Sequence, residues 1–196
     1  MILYNHELSG NCHKVRLMLS LLGLEYELVS VDLMKGEHKS PQFMKLNPLG
    51  QVPVLLDNDV VIRDAQGILV YLARRYGSEW LPIEAELMSK VVQWLSIAAN
   101  EMQHSLAAAR KFFLLNAQID LELAQNRAHE ILQIIDKHLA QRQWLECNRP
   151  TIADVACFPY VGLAADGKIS LEAYPHVIAW RNRIKQLPGY IGMPGL

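Results

Sequence analysis

Cysteine is scarce in this chain: Cys12, Cys147 and Cys157 are three in 196 residues. An odd number at wide spacing is neither a disulfide framework nor a zinc cluster, so no metal is expected. Long apolar runs are missing too. A membrane-spanning helix needs about eighteen uninterrupted apolar residues, and no window supplies them. Charge of one sign is also lacking. The formal net charge is -1, and basic residues are scattered without interleaved aromatics. Nucleic acid and anionic membrane surfaces are therefore not expected partners. The opening MILYNHEL has neither the charged start nor the apolar stretch of a secretory leader. Together these absences point to a reduced, cytoplasmic protein.

What is present suits a globular chain, with 51% hydrophobic and 20% charged residues and length for one large or two small domains. Ile2 to Tyr4 reads as a short strand. CHKVRLMLSLL, from Cys12 to Leu22, reads as a helix stopped by Gly23. Tyr26 to Val31 reads as a second strand, completing a β-α-β unit with a parallel pair. Ser40-Pro41 opens a short helix through Leu46, with proline in the permitted first turn. Val54 to Leu56 and Val60 to Ile62 flank the polar turn DND as a hairpin. Asp64 caps a helix to about Arg75, closed by Gly77. Beyond Pro82 only helical periodicity remains, including one long helix around Trp94 to Arg110. The expected organisation is an α/β unit over 1–77, a linker at 78–82 and an all-α unit over 83–196.

Three stretches carry chemistry, each with a structural reading beside it. In NPLGQVPVL, Pro53 stands at the mouth of a β-branched run. A proline cannot donate to a ladder, so it either opens an edge strand in trans or turns the chain in cis, which leaves the Val52 backbone free. In ELSGNCHKVR, Ser9, Gly10 and Asn11 stand at a strand-to-helix junction. They either cap the helix or use its free N–H groups and positive dipole end to receive an anion such as a thiolate. Arg63-Asp64-Ala65 begins the third helix, where Asp64 serves as N-cap or as an ammonium holder. His38-Lys39 before Ser40 is solvated charge or part of a binding edge. Thr151-Ile152-Ala153-Asp154 is a capping-box start, read as structural.

The order β-α-β, helix, then a hairpin led by proline is that of a thioredoxin-like fold. These pieces together resemble the cytosolic glutathione transferases over nearly the whole chain. GEHKSPQFMKLNPLGQVPVL is similar to the phi class, and SGNCHKVR resembles the zeta and theta-like classes. RPTIADVACFPY resembles the family's capping-box segment, and YPHVIAWRNRIKQLP its last helix. The resemblance implies a thioredoxin-like domain followed by a helical one. It also implies a homodimer acting in detoxification, with glutathione as co-substrate and a small hydrophobic electrophile or a peroxide as acceptor.

Carried over residue by residue, the resemblance makes Ser9 the donor to the glutathione sulfur. Asn11 stands beside it, and Val52 pairs through its backbone with the cysteinyl unit, permitted by a cis Pro53. His38, Lys39 and Gln51 match the glycyl end, and Asp64 with Ala65 the γ-glutamyl end. The family usually has serine where Ala65 stands, so weaker glutathione binding is expected. Asn100, Glu101, His104 and Arg110 are polar residues on an apolar helix and are expected to face the electrophile.

Two other readings stay open. One is a non-catalytic binding or scaffold protein, favoured by Ala65. The other is a glutathione-dependent disulfide reductase. Ser9-Gly10-Asn11-Cys12 has C-x-x-C spacing with serine in first place, leaving Cys12 as the thiol of interest.

Overall fold

The computed structural model describes all 196 residues. Its first part contains β1 (Ile2–Asn5), α1 (Gly10–Leu21), β2 (Glu27–Ser30), α2 (Pro41–Leu46), β3 (Val54–Asp57), β4 (Val60–Arg63) and α3 (Ala65–Tyr76). The sheet order is β2-β1-β3-β4. β1 runs parallel to β2 and antiparallel to β3, and β3 and β4 form a hairpin. This is the thioredoxin-like arrangement. Local chemistry explains its corners. Asn58 in the hairpin turn has φ 51°, a left-handed conformation that asparagine tolerates. The Ser40 hydroxyl accepts from the Phe43 N–H at 3.2 Å and caps α2, with Pro41 in the first turn.

The second part is all-helical: α4 (Ala85–Ala99), α5 (Leu106–Leu115), α6 (Leu121–Leu139), α7 (Ile152–Gly162) and α8 (Pro175–Ile184). A stretch with one 3-10 turn, Ser78–Trp80, leads into it. The single long helix expected around Trp94 to Arg110 does not exist, because the chain turns between α4 and α5 at residues 100–105. Side chains there compete for helical carbonyls. Ser105 Oγ donates to the Glu101 carbonyl at 2.6 Å, and His104 Nδ1 lies 2.9 Å from the Asn100 carbonyl. The Met102 N–H reaches back to the Ile97 carbonyl, and the Ala107 N–H to that of Met102, each at 3.0 Å. These five-residue spans are wider than an α-helical turn, so α5 starts with a new rotational phase.

One hydrophobic cluster of 43 buried residues runs through both parts, from Leu3 on β1 to Ile184 on α8. At its centre is α7, which packs on α1, α3 and α4 and is buried from Ile152 to Val161. Its N-terminus carries the capping box that the sequence implied, between Thr151 and Asp154. Asp154 also accepts from the Leu145 N–H at 3.0 Å and from Trp180 Nε1 at 2.8 Å. Burial nevertheless pushes its carboxyl up to about 6.

Candidate functional site

The loop from β1 to α1 is held by two guanidinium groups. Arg16 on α1 bonds the Asn5 side chain, donates to the Glu7 carbonyl at 3.1 Å and reaches that of His6 at 3.5 Å. Arg110 on α5 donates to the Leu8 carbonyl at 2.7 Å and pairs through Nε with Asp166 at 2.8 Å. Three successive carbonyls are thus gripped by arginines from two different parts of the fold. Ser9 follows directly. Its oxygen accepts from the Cys12 N–H at 3.2 Å, the cap that starts α1 at Gly10. A hydroxyl has one hydrogen to give, and the group within the chain that feels that of Ser9 is the buried Cys12 sulfur, whose pKa it lowers.

Ser9 opens on a cleft of about 450 Å³. Asn11, His38, Gln51, Val52 and Asp64 line the same cleft. Two of them carry buried polar atoms with no partner, Asn11 Oδ1 and His38 Nδ1. Unpaired buried polar atoms are rare in folded proteins and suit a ligand. The Val52–Pro53 bond is cis, and the Val52 N–H and C=O make no hydrogen bond within the chain. Pro53 itself is buried behind this edge.

Asp64 adopts φ 70° and ψ 128°, a region that non-glycine residues seldom enter and that typically costs about 1–3 kcal/mol. One carboxylate oxygen accepts from the Gln66 and Gly67 N–H groups at 2.9 and 3.0 Å, while the other has no partner. The strained residue therefore caps α3 and keeps one oxygen free beside the cleft.

Two expected ligands are placed otherwise. Lys39 points back, its Nζ donating to the Leu49 carbonyl at 3.1 Å, and is not on the cleft wall. Gly50 is what admits it. At φ +59°, a Cβ on Gly50 would stand 2.6 Å from Lys39 Nζ and 2.8 Å from the His38 carbonyl. The Ala65 methyl is 2% exposed and joins the core, so only its backbone N–H is left to serve the cleft. Gln66, one residue on, lines it instead.

The residues expected on the acceptor side lie apart from this cleft. Asn100, Glu101 and His104 line a separate hollow against α6, with Arg127 and Glu130. Arg110 is 6% exposed and bonds Leu8 and Asp166 through Nη1 and Nε. Asn100, Glu101 and His104 stand on the side of the 100–105 segment turned to α6, about 100–200° round from the Ala99 position. Ala99, Gln103, Lys111 and Tyr160 face the cleft in their place, with Leu33 on its other wall. Of these, Tyr160 left a trace in the sequence. A Cβ on Gly10 would lie 2.7 Å from its ring, so the glycine beside Ser9 marks that close approach. Burial pushes the Tyr160 hydroxyl up to about 12.

Cys12 lies beneath the helix start with no exposed surface, its sulfur 3.4 Å from the His6 N–H. Burial raises its pKa above the ordinary thiol value, against the smaller lowering by Ser9 and His6.

Residues 1–74 match the family model for the glutathione S-transferase N-terminal domain, and residues 93–188 that for the C-terminal domain. Glutathione S-transferase 3 of Zea mays is 33% identical over 96% of this chain and 90% of its own length. The disulfide-bond oxidoreductase YfcG of Escherichia coli K12 is 29% identical over 91% of this chain and 87% of its own. Among solved structures, a glutathione S-transferase from Pseudomonas fluorescens superposes with a TM-score of 0.93 at 31% identity, covering 98% of each chain.

Proposed function

The chain belongs to the glutathione S-transferase family, and we propose that it activates glutathione through Ser9 for attack on a small electrophile or peroxide. The observation that carries this reading is the Ser9 hydroxyl. Its oxygen accepts from the Cys12 N–H at the cleft wall, and its hydrogen turns from the buried Cys12 thiol to a sulfur bound in the cleft. A free thiol with pKa of about 8.5 is only a few per cent thiolate at neutrality. A hydrogen bond to the charged form, at about 1.5–3 kcal/mol, lowers that pKa by roughly one to two units. The dipole of α1 adds about 0.3–1 kcal/mol, so no general base is required.

The rest of the cleft suits the tripeptide. The unpaired Val52 N–H and C=O are complementary to the cysteinyl backbone, in the manner of an added strand. His38 and Gln51 are suited to the glycyl carboxylate. The free Asp64 oxygen suits the γ-glutamyl ammonium, and Gln66 with the Ala65 N–H its carboxylate. The thiolate then forms a carbon–sulfur bond, the leaving group departs with its electron pair, and the thiol proton has gone to solvent. We infer a homodimer working in the cytoplasm, with detoxification as the outcome.

Disulfide exchange through Cys12 has the E. coli relative's name in its favour. Against it stand the full burial and raised pKa of Cys12, which suit a packed thiol and not a nucleophile. The deciding experiment is calorimetric titration with reduced glutathione, the bound thiol being scanned for thiolate absorbance against pH. Wild type is expected to bind with thiolate forming one to two units below the free thiol, and Ser9→Ala to lose that shift and most turnover. Unchanged turnover in Ser9→Ala would sink the assignment.

A further inference from the structure

We propose that the acceptor half of the cleft is built for a co-substrate bearing a negative charge, such as an aryl or enoyl carboxylate, with Lys111 as its counter-ion. The inference rests on the glutathione reading and refines it, since a purely hydrophobic acceptor would leave the wall facing Ser9 poorly matched. That wall presents the Gln103 amide, the Lys111 ammonium and Tyr160, with Ala99 as its small apolar member.

Lys111 makes no hydrogen bond, ion pair or ring contact through its side chain. The nearby acids have other hydrogen-bond partners, and none stands within ion-pair distance of Lys111. Asp166 is paired with Arg110 at 2.8 Å. Asp120, beside Lys111 in the adjoining hollow, caps α6 by accepting from the Leu123 N–H at 2.9 Å. Asp64 caps α3 at the opposite end of the tripeptide's path. Glutathione's own carboxylates are met at His38 and Gln51 and at the start of α3, which leaves Lys111 for the acceptor.

A second cation lies behind the same wall. Lys14 has no exposed surface, its Nζ has no hydrogen-bond partner, and it stands 5.2 Å from the centroid of the Tyr160 ring. Burial lowers its pKa to about 8, so it remains largely charged at neutrality. Lys14 does not line the cleft, so the counter-ion on the acceptor wall itself is Lys111.

The test uses two S-aryl glutathione conjugates, 2-nitro-4-carboxyphenyl and 2-nitro-4-carbamoylphenyl, titrated calorimetrically so that intrinsic reactivity plays no part. The carboxylate conjugate is expected to bind about three- to tenfold tighter, as suits a partly shielded ion pair. Lys111→Met is expected to bring the ratio near one, and Lys111→Arg to keep it above two. Equal binding by wild type, or a preference that survives Lys111→Met, overturns this inference while the glutathione reading stands. Failure of both conjugates and of glutathione itself to bind overturns both.

Discussion

Arg110, on a helix of the second part, donates a 2.7 Å hydrogen bond to the carbonyl of Leu8, the residue immediately before Ser9. The guanidinium is nearly buried and its Nε is held by Asp166, so this contact fixes the Ser9 loop from outside its own domain. Arg110→Met is expected to cost about 1–3 kcal/mol in urea unfolding, because it strands a carbonyl and a carboxylate. It is also expected to raise the pKa of bound glutathione and to lower kcat more than it raises KM. Lysine should not rescue it, since one ammonium lacks the planar fork that spans both acceptors. Stability loss with an unshifted thiol pKa would reduce Arg110 to a packing role.

His13 offers a pH signature. Both ring nitrogens are buried without partners, and burial, with the Arg16 charge, lowers its pKa from 6.5 to about 3. The unfolded chain takes up this proton first as pH falls. The associated stability is therefore present above 6.5 and lost progressively toward 3. Asp154 works in the opposite sense. Its pKa is raised from 3.8 to about 6, so its contribution is present below 3.8 and lost as pH rises through 6. Comparing wild type with His13→Leu isolates the histidine. Acidification from neutrality to about pH 4.5 is expected to cost wild type roughly 2–3 kcal/mol more than the variant. Parallel stability curves would show that His13 is charged or hydrated in the folded state.

The start of α7 should separate stability from chemistry. Thr151→Ala removes a cap hydroxyl and is expected to cost about 0.5–2 kcal/mol. Asp154→Ala is expected to cost more, since it strands the Leu145 and Thr151 N–H groups and Trp180 Nε1 in the core. Calorimetric melting ranks the two variants. Neither residue lines the cleft, so the thiolate pKa of bound glutathione should not move in either.

Much of the first part was legible because its signals are local. Gly23, Ser40-Pro41, Asp64 and Gly77 mark corners that depend only on nearby residues, and the elements end within a residue or two of them. The residues brought together around Ser9 owe their recognition to the family resemblance, since Ser9 and Val52 are far apart in sequence. What was not legible depended on phase. Asn100, Glu101, His104 and Arg110 looked like polar positions on one apolar helix, but no common face can be assigned across a break in the helix. The break is marked by side chains bonding carbonyls and by five-residue backbone spans, which hydrophobic periodicity does not register. The position of Lys39 was likewise not legible, because only the backbone conformation at Gly50 reveals that the lysine folds back.

The turn at 100–105 has a consequence for how acceptor preference could be altered. A helix advances about 100° per residue, so adding or removing one residue there would rotate α5 by more than a quarter circle. Arg110 would leave Leu8 with the same motion that carries Lys111 off the cleft wall. Point substitutions at Gln103 or Lys111 are free of this coupling. The acceptor side is therefore open to retuning by exchange of side chains but closed to changes in loop length.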